Sequence, residues 1–98
     1  MKYKTVKFTN SERDKKFKAE LRGDKVKKTL HFGAKGMSDF TKHKDKKRKV
    51  RYLARHRVRE NWKVPDTAGS LSRWILWNKD TIEASKKDYA KRFSLKII

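Results

Sequence analysis

The chain contains no cysteine, a single proline, four glycines and only eleven acidic residues among its 98 positions. The lack of cysteine excludes a disulfide framework and a thiolate metal site. The longest apolar run, Trp74 to Trp77, is far too short to cross a membrane, so we expect no membrane span. The length, and the absence of internal repeats, predict one small domain over residues 1–98.

Basic residues dominate the composition. Thirty Lys and Arg against eleven Asp and Glu give a net charge of +19. Self-repulsion at this charge should make the fold marginal at low salt. Only 35% of the residues are apolar, which is low for a globular domain, but three Trp, three Tyr and five Phe can each bury a large area. A folded core is therefore feasible, and the cationic surface around it requires an anionic partner.

The N-terminal third of the chain has the pattern of β-strands. Spaced apolar residues occur in the segments 2–8, 16–21 and 26–32, with period-two alternation in the second and third. Gly23, which can take a positive φ, lies in a tight-turn sequence between the second and third segments. We therefore predict a three-stranded antiparallel meander over residues 2–32, with one apolar face and one lysine-rich face.

The segment 42–59 carries ten Lys or Arg and one acidic residue, Asp45. Apolar residues recur within it at the spacing of one helix face: Val50, Leu53, Ala54 and Val58. This pattern predicts an amphipathic helix over residues 42–60 that docks through its apolar stripe. Ser38 or Asp39 is a plausible cap ahead of it, and its start could lie anywhere from Thr41 to Lys46. Five cations cluster within about 80° on another side of the helical wheel: Lys44, Arg48, Arg51, Arg55 and Arg59.

Lys47 and Lys35 are expected to support the contacts of this cationic stripe with a partner. Arg57 falls inside the apolar arc, so its guanidinium needs a carboxylate or must extend past its neighbours into water.

The C-terminal half is predicted to be helical over residues 70–93. Ser70 is the expected cap of a Trp-rich helix, and Asp80 or Thr81 of a final helix. Residues 94–98 suit either a fourth strand or a partner contact. The fold class is α+β, with the N-terminal meander packed against about three C-terminal helices. The predicted core is Phe17, Leu21, Leu30, Phe32, Val50, Leu53, Val58, Trp62, Leu71, Trp74, Ile75, Tyr89 and Phe93.

No catalytic constellation is expected from the sequence. The three histidines lack the spacing of a metal pair, and no serine lies in a nucleophile elbow. The segment from Gly33 to Gly36 matches the G-x-x-G pattern that clamps RNA backbone in K-homology domains, but it follows a strand, so a plain turn is favoured. We therefore predict a non-enzymatic protein with no catalytic residue, metal, cofactor or small-molecule substrate.

The sign imbalance of the basic segment favours a polyanion as its partner. A solvated helix usually mixes Glu with Lys, whereas this one repels itself along its length. Its five stripe cations could neutralise about five phosphates, for a log–log salt slope near −4 to −5. No base-reading motif is visible, so binding should be independent of base sequence. Stacking on bases is a lesser role for the tryptophans: Trp62 and Trp74 are expected in the core, and Trp77 at its rim.

Several short motifs and single residues carry a family resemblance: His31-Phe32-Gly33, Gly36, Ser38-Asp39-Phe40-Thr41, His43-Lys44-Asp45, Arg48, Tyr52, Arg55-His56, Trp62, Thr67-Ala68-Gly69 and Ser72-Arg73-Trp74-Ile75-Leu76-Trp77-Asn78. Through them the chain resembles a family of small, basic, functionally unassigned proteins of large nucleocytoplasmic DNA viruses. The resemblance covers roughly two-thirds of the chain. It implies a viral origin and a place in the virion after synthesis in the host cell.

Three functions fit these observations. The first is a nucleic-acid-associated viral structural protein that contacts phosphates, with DNA favoured over RNA. The second is a minor capsid protein whose contacts are mainly with other capsid proteins. The third is an RNA- or ribosome-associated basic protein, soluble inside a cell. All three use the same cations.

Raising the ionic strength should stabilise the folded protein, because salt screens repulsion among its excess cations. The urea midpoint is expected to rise between about 0.1 M and about 1 M NaCl, over which the Debye length falls from about 10 to about 3 Å. A midpoint that stays constant or falls would show that charge repulsion does not limit stability.

Overall fold

The N-terminal meander is present in the structure, a computed structural model that describes residues 2–98. Strand β1 (Thr5–Asn10) pairs antiparallel with β2 (Lys15–Arg22), which pairs antiparallel with β3 (Lys27–Ala34). The three predicted strands are confirmed, although each extends further toward its C-terminal end than expected. Met1, which the predicted domain included, lies outside the described residues.

The C-terminal tail adds a fourth strand to the sheet. Strand β4 (Lys96–Ile97) lies parallel to β1, with Thr5 opposite Lys96, and the strand order is β3-β2-β1-β4. The sheet is therefore mixed rather than purely antiparallel. Of the two interpretations of residues 94–98, the structure selects the strand.

Gly23 does not adopt the positive φ that its turn sequence suggested. The described glycines with positive φ are Gly33 and Gly36, both at 82°. Gly23 is needed for a different reason: a Cβ built there would lie 1.9 Å from the carbonyl oxygen of Lys2. The turn thus requires close backbone approach, for which only glycine leaves room.

Four helices follow the meander, which confirms the α+β class. They are α1 (Phe40–His43), α2 (Lys46–His56), α3 (Ala68–Leu71), which continues into a π-helical turn (Ser72–Leu76), and α4 (Ile82–Arg92). The longest of these, α2 and α4, have eleven residues each. Within the described chain, no helix is long and apolar enough to traverse a lipid bilayer.

The predicted basic helix over residues 42–60 is shorter in the structure, where α2 begins at Lys46, the latest of the predicted starts, and ends before Glu60. Lys44 takes a left-handed conformation with φ 55° and ends α1. Asp45 then starts α2, because its carboxylate accepts hydrogen bonds from the backbone N–H groups of Lys47 and Arg48 at 3.0 and 3.3 Å. The helix ends at His56. The one acidic residue in the basic run therefore divides it into two helices.

The caps of the later helices were only partly predicted. Thr67, not Ser70, caps α3 by accepting a hydrogen bond from the Ser70 N–H at 3.0 Å. Ser70 itself is fully buried and donates its hydroxyl to the Val64 carbonyl. Thr81 caps α4, as one of the two predicted candidates.

The core lies between the sheet and the segment from α3 through α4. Seven predicted core residues are buried there: Leu21, Phe32, Leu71, Trp74, Ile75, Tyr89 and Phe93. Three others are half-buried and pack against them: Phe17, Leu30 and Trp62. The sequence reasoning missed further buried side chains: Tyr3, Val6, Ala19, Phe40, Leu76, Ala90 and Leu95.

The predicted docking stripe of the basic helix is not buried. Val50 is 64% exposed and Val58 77% exposed, Ala54 is also exposed, and Leu53 is only half-buried. No described residue of α2 is fully buried. Arg57, which the wheel placed in the same arc, is therefore exposed and needs no carboxylate partner.

Candidate nucleic-acid interface

Helix α2 is held to the domain by a stack of aromatic rings. The ring of Tyr52 lies parallel to Trp77, with centroids 4.1 Å apart and planes at 4°. It also stacks on His56, again at 4.1 Å between centroids. Tyr52 is therefore the middle ring of three. Burial, followed by the negative charge of Glu60, raises the pKa of Tyr52 to about 12.

Lys49 provides a second attachment on the same side of α2. Its Nζ donates a hydrogen bond to the Asn78 carbonyl at 2.5 Å and lies 4.7 Å from the centroid of the Phe40 ring. Burial lowers the pKa of Lys49, and the nearby charge of Arg73 adds to this effect. The side of α2 that faces the domain thus carries rings and one partnered cation.

This attachment explains why the apolar stripe points away from the domain. The arc that contains Val50 and Val58 also contains Arg57, so burying it would remove an unpaired guanidinium from water. The observed orientation of α2 instead packs the large Tyr52 ring against Trp77. It also covers Lys49, whose Nζ donates a hydrogen bond to the Asn78 carbonyl. The free-energy cost of removing the Arg57 guanidinium from water thus exceeds the gain from burying two small valines.

The cationic side of α2 faces a groove of about 450 Å³. Three arginines line it from α2: Arg48, Arg51 and Arg55. The end of β3 and the segment leading to α1 contribute Ala34, Met37 and Ser38, and the aromatic stack contributes Tyr52, His56 and Trp77. The groove therefore combines positive charge with ring surfaces.

The structure brings together three of the seven predicted site residues, namely these arginines. Lys44 ends α1 and donates its Nζ to the Thr41 carbonyl at 2.9 Å. Lys47 lies in the first turn of α2, Arg59 in the turn after it, and Lys35 in the turn after β3; all three are exposed and outside the groove. Across residues 2–98, none of the seven forms a salt bridge.

A buried ion pair supports the groove from the side opposite α2. Lys16 Nζ and Asp39 Oδ2 lie 2.6 Å apart, and their side chains are only 10% and 2% exposed. Asp39 also caps α1 by accepting from the N–H of Thr41 at 2.9 Å and from the Thr41 hydroxyl. Burial by itself would raise the pKa of Asp39, but the hydrogen bonds from Lys16 and Thr41 outweigh it and hold the pKa below its ordinary value.

Several residues of the groove were missed or undervalued by sequence reasoning. Lys16 resembled one more surface lysine of a strand. Tyr52 and His56 entered only through the family resemblance, which assigned them no role. The available signal for Tyr52 was its size, because it is the only Phe, Tyr or Trp within α2.

Trp74 is not free to stack on bases. Trp74 donates its Nε1–H to the Trp62 carbonyl at 2.9 Å. The guanidinium carbons of Arg73 and Arg92 lie 4.2 and 3.7 Å from the Trp74 ring centroid. Arginines of this domain therefore already cover the ring.

The segment Gly33 to Gly36 consists of the last two residues of β3 and the turn that follows it, Lys35 and Gly36, in agreement with the simpler interpretation. A Cβ on Gly33 would lie 2.9 Å from Leu76 Cδ1, whereas Gly36 has open space around it. Gly33 thus allows the close approach of β3 to the π-helical turn.

No group of three His, Asp or Glu side chains that could hold a metal ion occurs within residues 2–98.

Fold and groove together define a small basic α+β domain with a cationic, aromatic-lined groove. A family described as "Family of unknown function (DUF5754)" matches residues 6–56, which is just over half of the chain, and the chain belongs to this family. The matched range contains α1, α2 and all of the meander except Thr5, and it ends before Trp77. No curated protein and no solved structure matches the chain.

Replacing both Val50 and Val58 with serine should change the free energy of unfolding by less than about 0.5 kcal/mol, because both side chains are exposed. Tyr52→Ala should cost about 1–3 kcal/mol, because it removes the ring that attaches α2. Urea unfolding followed by far-UV circular dichroism measures both. A larger loss in the valine variant than in Tyr52→Ala would contradict this orientation of the helix.

Asp39→Asn should destabilise the protein by about 3 kcal/mol at neutral pH, because it leaves Lys16 buried without its counter-charge. The pKa of Asp39 is lowered in the folded state, so its stabilisation is present above the ordinary value of 3.8 and is lost as the pH falls through the folded pKa. The variant should therefore lose less stability than the native protein on acidification below about pH 4.

The matched control is Asp14→Asn, which changes an exposed carboxylate. Its stability at neutral pH and its acid dependence, measured by urea unfolding, should equal those of the native protein. Equal behaviour of the two variants would show that the Lys16–Asp39 pair contributes nothing.

Proposed function

We propose that this protein binds nucleic acid through phosphate contacts, using the cationic side of α2 and the groove beside it. The role is non-enzymatic and structural. The observation that carries the proposal is the set of seven exposed cations that form no salt bridge in the described chain, three of which line one groove.

The distribution of acidic residues supports this location. On the rest of the domain, carboxylates pair with nearby bases: Lys4 with Asp24, Lys18 with Glu12, Lys28 with Asp66, Lys86 with Glu83 and Arg92 with Asp88. Near α2, Asp45 is engaged in capping, and Glu60 contacts His56 and Trp62. Within the described chain, no Lys or Arg of α2 therefore has a carboxylate partner.

The chemistry of the site favours contacts with phosphate rather than with base edges. Arginine presents a planar set of donors that matches phosphate oxygens. Each neutralised phosphate releases counterions and adds about 0.9 to the magnitude of the salt slope on duplex DNA. Such contacts carry no information on base sequence. Binding is therefore strong at low salt and tolerant of sequence.

The proposed setting is the virion of a large DNA virus. The support is the resemblance in the motifs from His31 to Asn78. Genomic DNA is then the favoured partner. RNA binding in a cell, including association with ribosomes, would use the same cations and is distinguished by the nucleic acid that binds best.

A role as a minor capsid protein is the second candidate, and one observation favours it. Val50 and Ala54 of α2 are exposed, as is Val58 in the turn after α2, and basic residues flank all three in sequence. A protein surface with apolar residues and an acidic rim would complement this stripe. If these apolar residues bind another protein rather than nucleic acid, replacing Val50 and Val58 with serine should leave the affinity for nucleic acid unchanged.

Replacing Arg51, Arg55 and Arg59 together with glutamine should weaken binding to duplex DNA, single-stranded DNA and RNA, whatever their base sequence. The magnitude of the log–log salt slope on duplex DNA should fall by about 2–3, because about three phosphate contacts are lost. Fluorescence anisotropy with labelled oligonucleotides across a salt series measures both quantities.

A control variant with the same net charge places the change elsewhere. Lys7, Lys25 and Lys27 are exposed on β1, in the β2–β3 turn and at the start of β3, and changing them to glutamine should leave the slope almost unaltered. Equal effects of the two triple variants would show that total charge, not α2, drives binding. Strong preference for one base sequence would contradict the phosphate mechanism.

A further inference from the structure

We infer that the groove beside α2 accepts a nucleotide unit of single-stranded nucleic acid, with its phosphate on the arginines and its base against the exposed end of the aromatic stack. This inference rests on the proposed function and adds the form of nucleic acid that the groove selects. It also assigns a direct role to His56.

The size and shape of the groove support a single strand. Its volume of about 450 Å³ lies within the range of about 300–1,000 Å³ that is typical of pockets enclosing small ligands. Bases of a duplex are paired and stacked inside the double helix, so they cannot enter a groove of this size. A single strand can turn a base away from its neighbours and insert it.

The three groove arginines suit a strand that runs along α2. Arg48 and Arg55 lie two helical turns apart, about 10 Å along the axis, with Arg51 between them. None of the three has a carboxylate partner in residues 2–98. Successive phosphates of one strand can therefore contact successive guanidinium groups while one base enters the groove.

The ring that remains available to a base is His56. Tyr52 is covered on both faces, by Trp77 and by His56. His56 ends this stack, lines the groove and keeps 38% of its side chain exposed. Glu60 lies 3.4 Å from its Nδ1 and restrains the ring. A base placed on His56 would extend the stack to four rings.

Met37 provides an apolar surface for the other side of a base. It lines the groove, is 64% exposed and takes no part in the packing of the core. Methionine adapts to irregular flat ligands and makes favourable contacts with aromatic rings. The groove thus offers charge for a phosphate, a ring for stacking and a flexible apolar side chain.

Three variants test the groove without changing its arginines. Ala34→Trp fills it from the exposed end of β3. His56→Ala removes the stacking ring, whereas His56→Phe retains a flat ring. The matched control is Val26→Trp, which adds an exposed tryptophan near the opposite end of β3. Circular dichroism establishes that each variant folds.

The probes are oligo-dT, oligo-U, an abasic strand of equal length, and duplex DNA with the same number of phosphates. Native protein should bind both single strands more tightly than the abasic strand. Ala34→Trp and His56→Ala should weaken single-strand binding about tenfold, which corresponds to the loss of about one stacked base, and change duplex binding less than about twofold. His56→Phe and Val26→Trp should bind like native protein.

Three results would overturn the inference: equal affinity for abasic and intact strands, equal losses on duplex and single strands, or no loss in either groove variant. If Ala34→Trp fails to fold, the comparison of His56→Ala with His56→Phe still decides. Loss of binding in the triple arginine variant, with no effect of the groove variants, would retain the proposed function and remove this inference. Absence of binding to every probe would remove both.

Discussion

The stack of Tyr52 on Trp77 is the contact on which the arrangement of the cationic surface depends. It joins α2 to the chain segment that follows the π-helical turn, and it determines the rotation of α2 about its own axis. Arg48, Arg51 and Arg55 line the groove because Tyr52, between them in sequence, faces Trp77. If α2 had docked through the face that carries Val50, these arginines would not line the groove.

Electrostatic pairing divides the molecule into two regions. Fewer than half of the basic residues in the strands and α4 have a carboxylate partner, but no Lys or Arg of α2 has one. The most buried pair, Lys16 with Asp39, connects β2 to the N-terminus of α1. The α2 region has cations but few available acids. A fold with so many like charges tolerates this imbalance because the arginines remain in water, where their mutual repulsion is screened. The unpaired region is the one that a polyanion would stabilise.

Local patterns predicted much of this fold. Alternation in the strands, Thr81 as a cap and the helical spacing of Tyr89 and Phe93 each reflect contacts between residues that are close in sequence. Predictions failed where the role of a residue depends on a contact partner that its local sequence pattern does not reveal. Ser70 was mistaken for a cap because nothing nearby reveals that its hydroxyl bonds to Val64 inside the core. Lys16 could not be distinguished from other strand lysines without knowledge of Asp39.

The sequence by itself determined the net charge, the three strands of the meander, the helical character of the basic segment and the relative angles of its side chains. Only the tertiary structure decided which of those angles faces the domain. A helical wheel specifies how side chains are arranged around an axis, but the orientation of that axis depends on the surface against which the helix packs. Here that surface is a tryptophan distant in sequence, and its flat ring pairs better with Tyr52 than with two valines beside an arginine.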